Sequence, residues 1–122
     1  VTKPMASPDQ VNPGLDRVAR LVNLFALAKV PPEKLKIAAV LHGSATSASL
    51  EDSHYRKKYQ VDNPNIKLIK ALKRAGVNVY VCGQALAHNG FEPHWVSREV
   101  TVALSAMIVL ADYQLNGYAL VE

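Results

Sequence analysis

The stretch NPNIKLIKALKRAGVNVYVCGQAL, residues 63–86, sets a helix, a strand and a thiol in one unbroken run. Asn63 is a capping residue, and Pro64 suits the first turn of a helix, where a missing N–H costs nothing. Ile66, Ile69 and Leu72 then recur at helical spacing as a buried stripe. Lys67, Lys70, Lys73 and Arg74 take the outer face and the negative C-terminal end, and Gly76 stops the helix. VNVYVC, 77–82, is a strand rich in β-branched residues. It runs directly into Cys82-Gly83-Gln84, and residues 83–90 carry one or two further helical turns. Helix, strand and helix joined this tightly form the repeating unit of a parallel sheet.

The flanking sequence repeats the pattern. LKIAAVLHG, 35–43, is almost wholly apolar and ends in glycine, as a strand covered on both faces does. Before it, Asn12 caps and Pro13 opens a helix over 13–28, with Asp16 at its positive end and Leu15, Val18, Leu21, Val22 and Phe25 facing inward. Pro31-Pro32 stops it, and residues 1–11 form an extended arm. SATSASLEDSHYRKKYQV, 44–61, reads as a loop with a turn or two of helix, and FEPHWVS, 91–97, as an irregular loop. Residues 98–117 are one long helix, or a strand at 99–103 followed by a helix to Gln114; Val100, Thr101 and Val102 favour the second. Asn116-Gly117 ends that helix, and YALV, 118–121, is a final strand. The expectation is one α/β domain over 1–122, a parallel sheet with helices on both faces, without repeats or linkers.

At 122 residues, 49% hydrophobic and 20% charged, the chain suffices for a single core. No stretch approaches eighteen uninterrupted apolar residues, so no membrane span is expected. The net charge of +4 attracts anions but falls short of the dense basic stripe of a nucleic-acid binder. HYRKKY, 54–59, interleaves basic and aromatic residues as RNA-contacting surfaces do, yet a patch this short reads first as a solvated loop. The single cysteine forms neither an intrachain disulfide nor a Cys-rich zinc site. His42, His54, His88 and His94 show no helical i, i+4 pair, so no metal is expected. No Walker loop, G-x-G-x-x-G, G-x-S-x-G or H-E-x-x-H is present, and no cofactor is expected. Trp95, in a polar loop, signals a buried contact or a subunit interface.

Sites in open parallel sheets form at the carboxyl ends of the strands. One strand ends in His42-Gly43 and another in Cys82-Gly83-Gln84, so adjacent strands would open His42 and Cys82 onto one edge. Backbone N–H groups of the helix after Cys82 point back at the sulfur and favour a thiolate, and Gly83 permits the sharp turn. Cys82 fits a small core residue equally well, and His42 fits a turn.

LVNLFALA, AAVLHGSAT, NPNIKLIKALKRAGVNVYVCGQAL, VTVALSAM and YQLNGYALV together resemble the DsrE/DsrF-like family of small sulfur-relay proteins, over about residues 15–121. The resemblance implies a three-layer α/β/α sandwich of flavodoxin-like topology around a mainly parallel sheet, assembled as a homo-oligomer, a trimer or hexamer. It implies that Cys82 carries sulfur as a persulfide, with His42, Gly43, Gly83 and Gln84 at the pocket. The partners would be a sulfur donor or acceptor protein, or a small persulfide. Family domains open with a strand of which only Val1-Thr2 remain here, so a trimmed first strand or a differently built edge is expected. Some look-alikes are exported, so both a cytoplasmic and a periplasmic location fit. The alternative is a non-enzymatic oligomeric module that binds a small anion or a partner protein, with Cys82 only lining the pocket.

Overall fold

The computed structural model describes residues 1–121. In chain order the elements are α1 (Pro13–Leu27), β1 (Ala38–Leu41), α2 (Asp52–Tyr59), α3 (Asn65–Arg74), β2 (Asn78–Cys82), α4 (Gly83–His88), β3 (Thr101–Ala103) and α5 (Ala106–Leu115), with short 3₁₀ segments between them. Among the described residues the three strands form one sheet in the order β1-β2-β3, and both pairings are parallel. Ala38 to Leu41 lie opposite Asn78 to Val81, and Tyr80 to Cys82 opposite Thr101 to Ala103. β2 is therefore the central strand.

Alternation along the strands divides the core in two. Leu41, Val79 and Val81 pack with Leu15 of α1, Ile69 and Leu72 of α3, and Leu86 of α4. Val40 and Cys82 pack instead with Ala106, backed by Tyr80, Val109 and Leu110. One side of the sheet thus carries several helices and the other carries α5. This is the α/β sandwich expected from the sequence, with helices on both faces.

A buried polar network ties together the elements on the side that carries several helices. Asn12 caps α1, its Oδ1 accepting from the N–H groups of Gly14 and Leu15 at 2.8 and 3.3 Å. The Asn12 N–H donates to Asn65 Oδ1 at 2.7 Å, and Asn65 donates from both its N–H and Nδ2 to Asn63 Oδ1 at 2.9 and 3.0 Å. Asn63 Nδ2 in turn donates to the carbonyls of Ala48 and Leu50 at 2.9 and 2.7 Å. The starts of α1 and α3 and the segment after β1 are joined through the side chains of Asn63 and Asn65 and the backbone N–H of Asn12.

The structure departs from the sequence expectations in four places. Within residues 44–61 the turn or two of helix expected is Asp52–Tyr59, but Gly43–Ser49 before it is a regular 3₁₀ segment and not a loop. The fully buried Tyr55, whose hydroxyl donates to the Pro8 carbonyl at 2.6 Å, anchors that helix although its composition is polar. The apolar stripe of α1 fades after Val22: Phe25, expected to face inward, is exposed at 36%, as its neighbours Leu24 and Leu27 are at 61% and 80%. The strand expected at 99–103 shortens to Thr101–Ala103, and Ser105 starts α5 as a cap, its Oγ accepting from the Met107 N–H at 3.1 Å. Residues 118–121 form no strand. They have strand composition but no neighbouring ladder, and Leu120 and Val121 stand exposed; Glu122 lies outside the described residues.

Candidate functional site

The carboxyl edge of the sheet is built where β1 and β2 end together. Leu41 and Val81 are the last registered pair, so His42 and Cys82 come next on neighbouring strands. Cys82 caps α4: its Sγ accepts the Ala85 N–H at 3.4 Å. Only 6% of the residue is exposed, with Val40, Ala106 and Ala85 packed around it. Gly83 follows because no side chain fits there. A Cβ at this position would stand 2.7 Å from the Ala103 carbonyl oxygen and 3.4 Å from that of Leu104.

His42 is half-buried, and its N–H donates to the Val1 carbonyl at 3.1 Å. The Val1 amino group donates to the Val40 carbonyl at 3.0 Å, so residue 1 pairs along the outer side of β1 in parallel fashion. Burial, and then the nearby Val1 ammonium, hold the His42 imidazole below its ordinary value of 6.5. His42 is therefore expected to be neutral at pH 7 and to show a folded-state NMR midpoint below 6.5. The unfolded chain then binds the proton more readily than the folded one. This contribution to stability is complete above the unfolded value and is lost as pH falls through the folded one. A midpoint at or above 6.5 would contradict this environment.

Gly43 and Gln84 line an open hollow of about 620 Å³ together with Ser44, Ala85, His88 and Asn89. Gly43, at φ +58°, makes the turn into the 3₁₀ segment in a conformation that suits glycine. Cys82 and His42 are not lining residues of this hollow. Ala85 stands between, bordering the hollow while its N–H holds the Cys82 sulfur. Sequence reasoning missed Ser44, Asn89 and the role of His88 as a wall residue. The signal for His88 was available, since Gln84 and His88 are four apart on one short helix and so share a face.

Below the edge, the Tyr80 and Tyr113 hydroxyls share a hydrogen bond of 2.7 Å that joins β2 to α5. That bond, followed by burial, pushes the Tyr80 phenol up to about 12. Among the described residues, no group of three or more His, Cys, Asp or Glu side chains is arranged to hold a metal ion. No helix is long and apolar enough to cross a membrane.

The family profile described as DsrE/DsrF-like matches residues 2–122. The chain belongs to the DsrE/DsrF-like family. A solved structure similar to this DsrE-family chain is the protein of unknown function MTH1491 from Methanobacterium thermoautotrophicum, with a TM-score of 0.62 and 22% identity. The match covers 87% of this chain and 86% of that one, which supports the shared α/β fold. No curated protein matches. Within the DsrE family the association is with sulfur relay, and in this chain Cys82 is the only thiol to which such chemistry could attach.

Proposed function

We propose that this DsrE-family protein carries sulfane sulfur on Cys82. The observation that carries the reading is the position of the only thiol, at the carboxyl end of the central strand with its sulfur accepting the Ala85 N–H. Ionised, Cys82 attacks the outer sulfur of a donor persulfide, R–S–SH. A Cys82 S–S bond forms, the donor S–S bond breaks, and the donor leaves as its thiolate. The product, Cys82–S–SH, then gives its outer sulfur to an acceptor thiolate by the same displacement, with no net oxidation. In this reading the backbone N–H groups after Gly83 hold the persulfide, Gln84 offers a hydrogen bond from the hollow beside it, neutral His42 takes up or orients a proton, and Gly43 lines that hollow.

The test is intact-protein mass spectrometry after incubation with a small persulfide donor. Wild type is expected to gain one sulfur atom, lost again on reduction, and Cys82→Ser to gain none. A folded wild type that gains no sulfur would overturn the proposal.

The burial of Cys82 favours a second reading, in which the protein is a binding module and the thiol only part of its wall. Both readings include self-association. α5 and the residues before it leave Leu104, Met107, Ile108 and Leu115 exposed at 75%, 79%, 54% and 88%. Apolar area of this kind on one face marks an interaction surface. Light scattering is expected to give a multiple of the 13.3 kDa chain mass, falling toward one chain in a Met107→Lys, Ile108→Lys variant. A monomeric wild type would contradict this.

A further inference from the structure

A second cavity, on elements other than those around Cys82, has the chemistry of a ligand site. It measures about 320 Å³ and is lined by Leu50, His54, Lys57, Lys58, Phe91 and Trp95. That volume lies at the small end of ligand pockets, room for one ring system with a substituent.

Its floor is apolar and its walls are aromatic. Leu50 is 1% exposed. Trp95 stacks on His54 with ring centroids 4.8 Å apart and planes 12° from parallel, and Phe91 lies 6.3 Å from Trp95. These walls are fixed by backbone. Leu50 and Val96 form an antiparallel bridge, with the Glu51 N–H donating to the Trp95 carbonyl at 2.9 Å and the Ser97 N–H to the Ser49 carbonyl at 2.8 Å.

The rim is cationic. Lys57 and Lys58 are exposed on the last turn of α2, and among the described residues neither forms an ion pair with a carboxylate. The Lys58 ammonium sits 4.9 Å above the Phe91 ring and 5.6 Å from that of Tyr59, held over aromatic faces. The neighbouring Glu51 carboxylate is already engaged by His54 Nε2 at 3.3 Å and Ser53 Oγ at 3.2 Å. Two ammonium groups without carboxylate partners therefore border a rigid aromatic slot.

We infer that this pocket binds a small planar ring bearing an anionic group, of the nucleoside monophosphate or aromatic carboxylate type. The ring lies against Phe91 and Trp95, and the anion meets Lys57 and Lys58. Phosphate-cradling glycine loops play no part, since the cations are side chains. This inference does not depend on sulfur chemistry at Cys82.

Trp95 is the only tryptophan, so its fluorescence reports on this pocket directly. Adenosine 5′-monophosphate and benzoate are the two probes, with adenosine, benzyl alcohol and inorganic phosphate as the separated parts. At least one probe is expected to change Trp95 emission saturably. Its uncharged counterpart and phosphate alone should each bind at least tenfold more weakly. A Lys57→Ala, Lys58→Ala variant should lose at least tenfold in affinity for the anion and a smaller factor for the uncharged ring. No saturable response to either probe would overturn the inference. So would equal binding by charged and uncharged rings, or an unchanged affinity in the double variant. An RNA oligonucleotide binding far more tightly than the monophosphate, with steep salt dependence, would replace it with an extended nucleic-acid interface.

Discussion

Asn63→Ala is expected to lower the unfolding free energy by about 3–5 kcal/mol, the summed cost of several buried polar groups left without partners. The side chain is 5% exposed and is the hub of the asparagine network. Its loss strips the Ala48 and Leu50 carbonyls of their Nδ2 donors, and the Asn65 N–H and Nδ2 of their shared acceptor. A single orphaned group costs about 1–3 kcal/mol, and a water filling part of the vacated space offsets some of the total. Against an ordinary domain stability of about 5–15 kcal/mol, the remainder is a large fraction. Urea unfolding of the variant beside wild type measures it. A loss under about 1 kcal/mol, the scale of one ordinary hydrogen bond, would show that the network does not join α1, α3 and the segment after β1 as described.

Gly83→Ala is expected to cost about 1–3 kcal/mol through forced displacement of backbone. A methyl group 2.7 Å from the Ala103 carbonyl oxygen overlaps it, and that oxygen belongs to β3 rather than to a side chain that could swing away. Either α4 or the end of β3 has to move. The gain in helix propensity from glycine to alanine is at most about 1 kcal/mol and is smaller at a helix start, so the steric cost wins. Circular dichroism melting reads the outcome. An unchanged or higher midpoint would mean that the approach of α4 to β3 is looser than the backbone geometry indicates.

Much of this fold was legible because several kinds of local signal agreed. Around α3 and β2, the Asn63-Pro64 start, the lysine-flanked apolar stripe, Gly76 and the β-branched run all pointed one way, and the elements lie within a residue or two of those bounds. Asn12 behaved as the cap its position suggested. Where the sequence misled, the deciding contact was distant. Nothing local to DSHYRKKY announces that Tyr55 is wholly buried against the N-terminal arm, 47 residues from its partner Pro8. YALV has the composition of a strand, but pairing needs a neighbour, and composition carries no record of one. The site was legible in the same measure. The ends of β1 and β2 are side by side as the motif order suggested, and Gly43 and Gln84 share a hollow. That Ala85 would stand between the sulfur and that hollow depends on the pitch of α4, which residue types do not specify. Trp95 reads from the sequence as a contact residue, yet nothing local names His54 of α2 as its partner.

The Ala85 N–H that holds the Cys82 sulfur also gives the thiol a clock. With 6% of the residue exposed, a reagent waits for the cover of α4 or α5 to lift before it meets sulfur. Uptake then proceeds at the intrinsic rate of the thiolate scaled by the fraction of molecules open at any moment, much as amide exchange follows local unfolding. Substitutions that loosen α4 would quicken the reaction while weakening the molecule. A faster thiol in such a variant would report looser packing around Cys82, and not a better nucleophile.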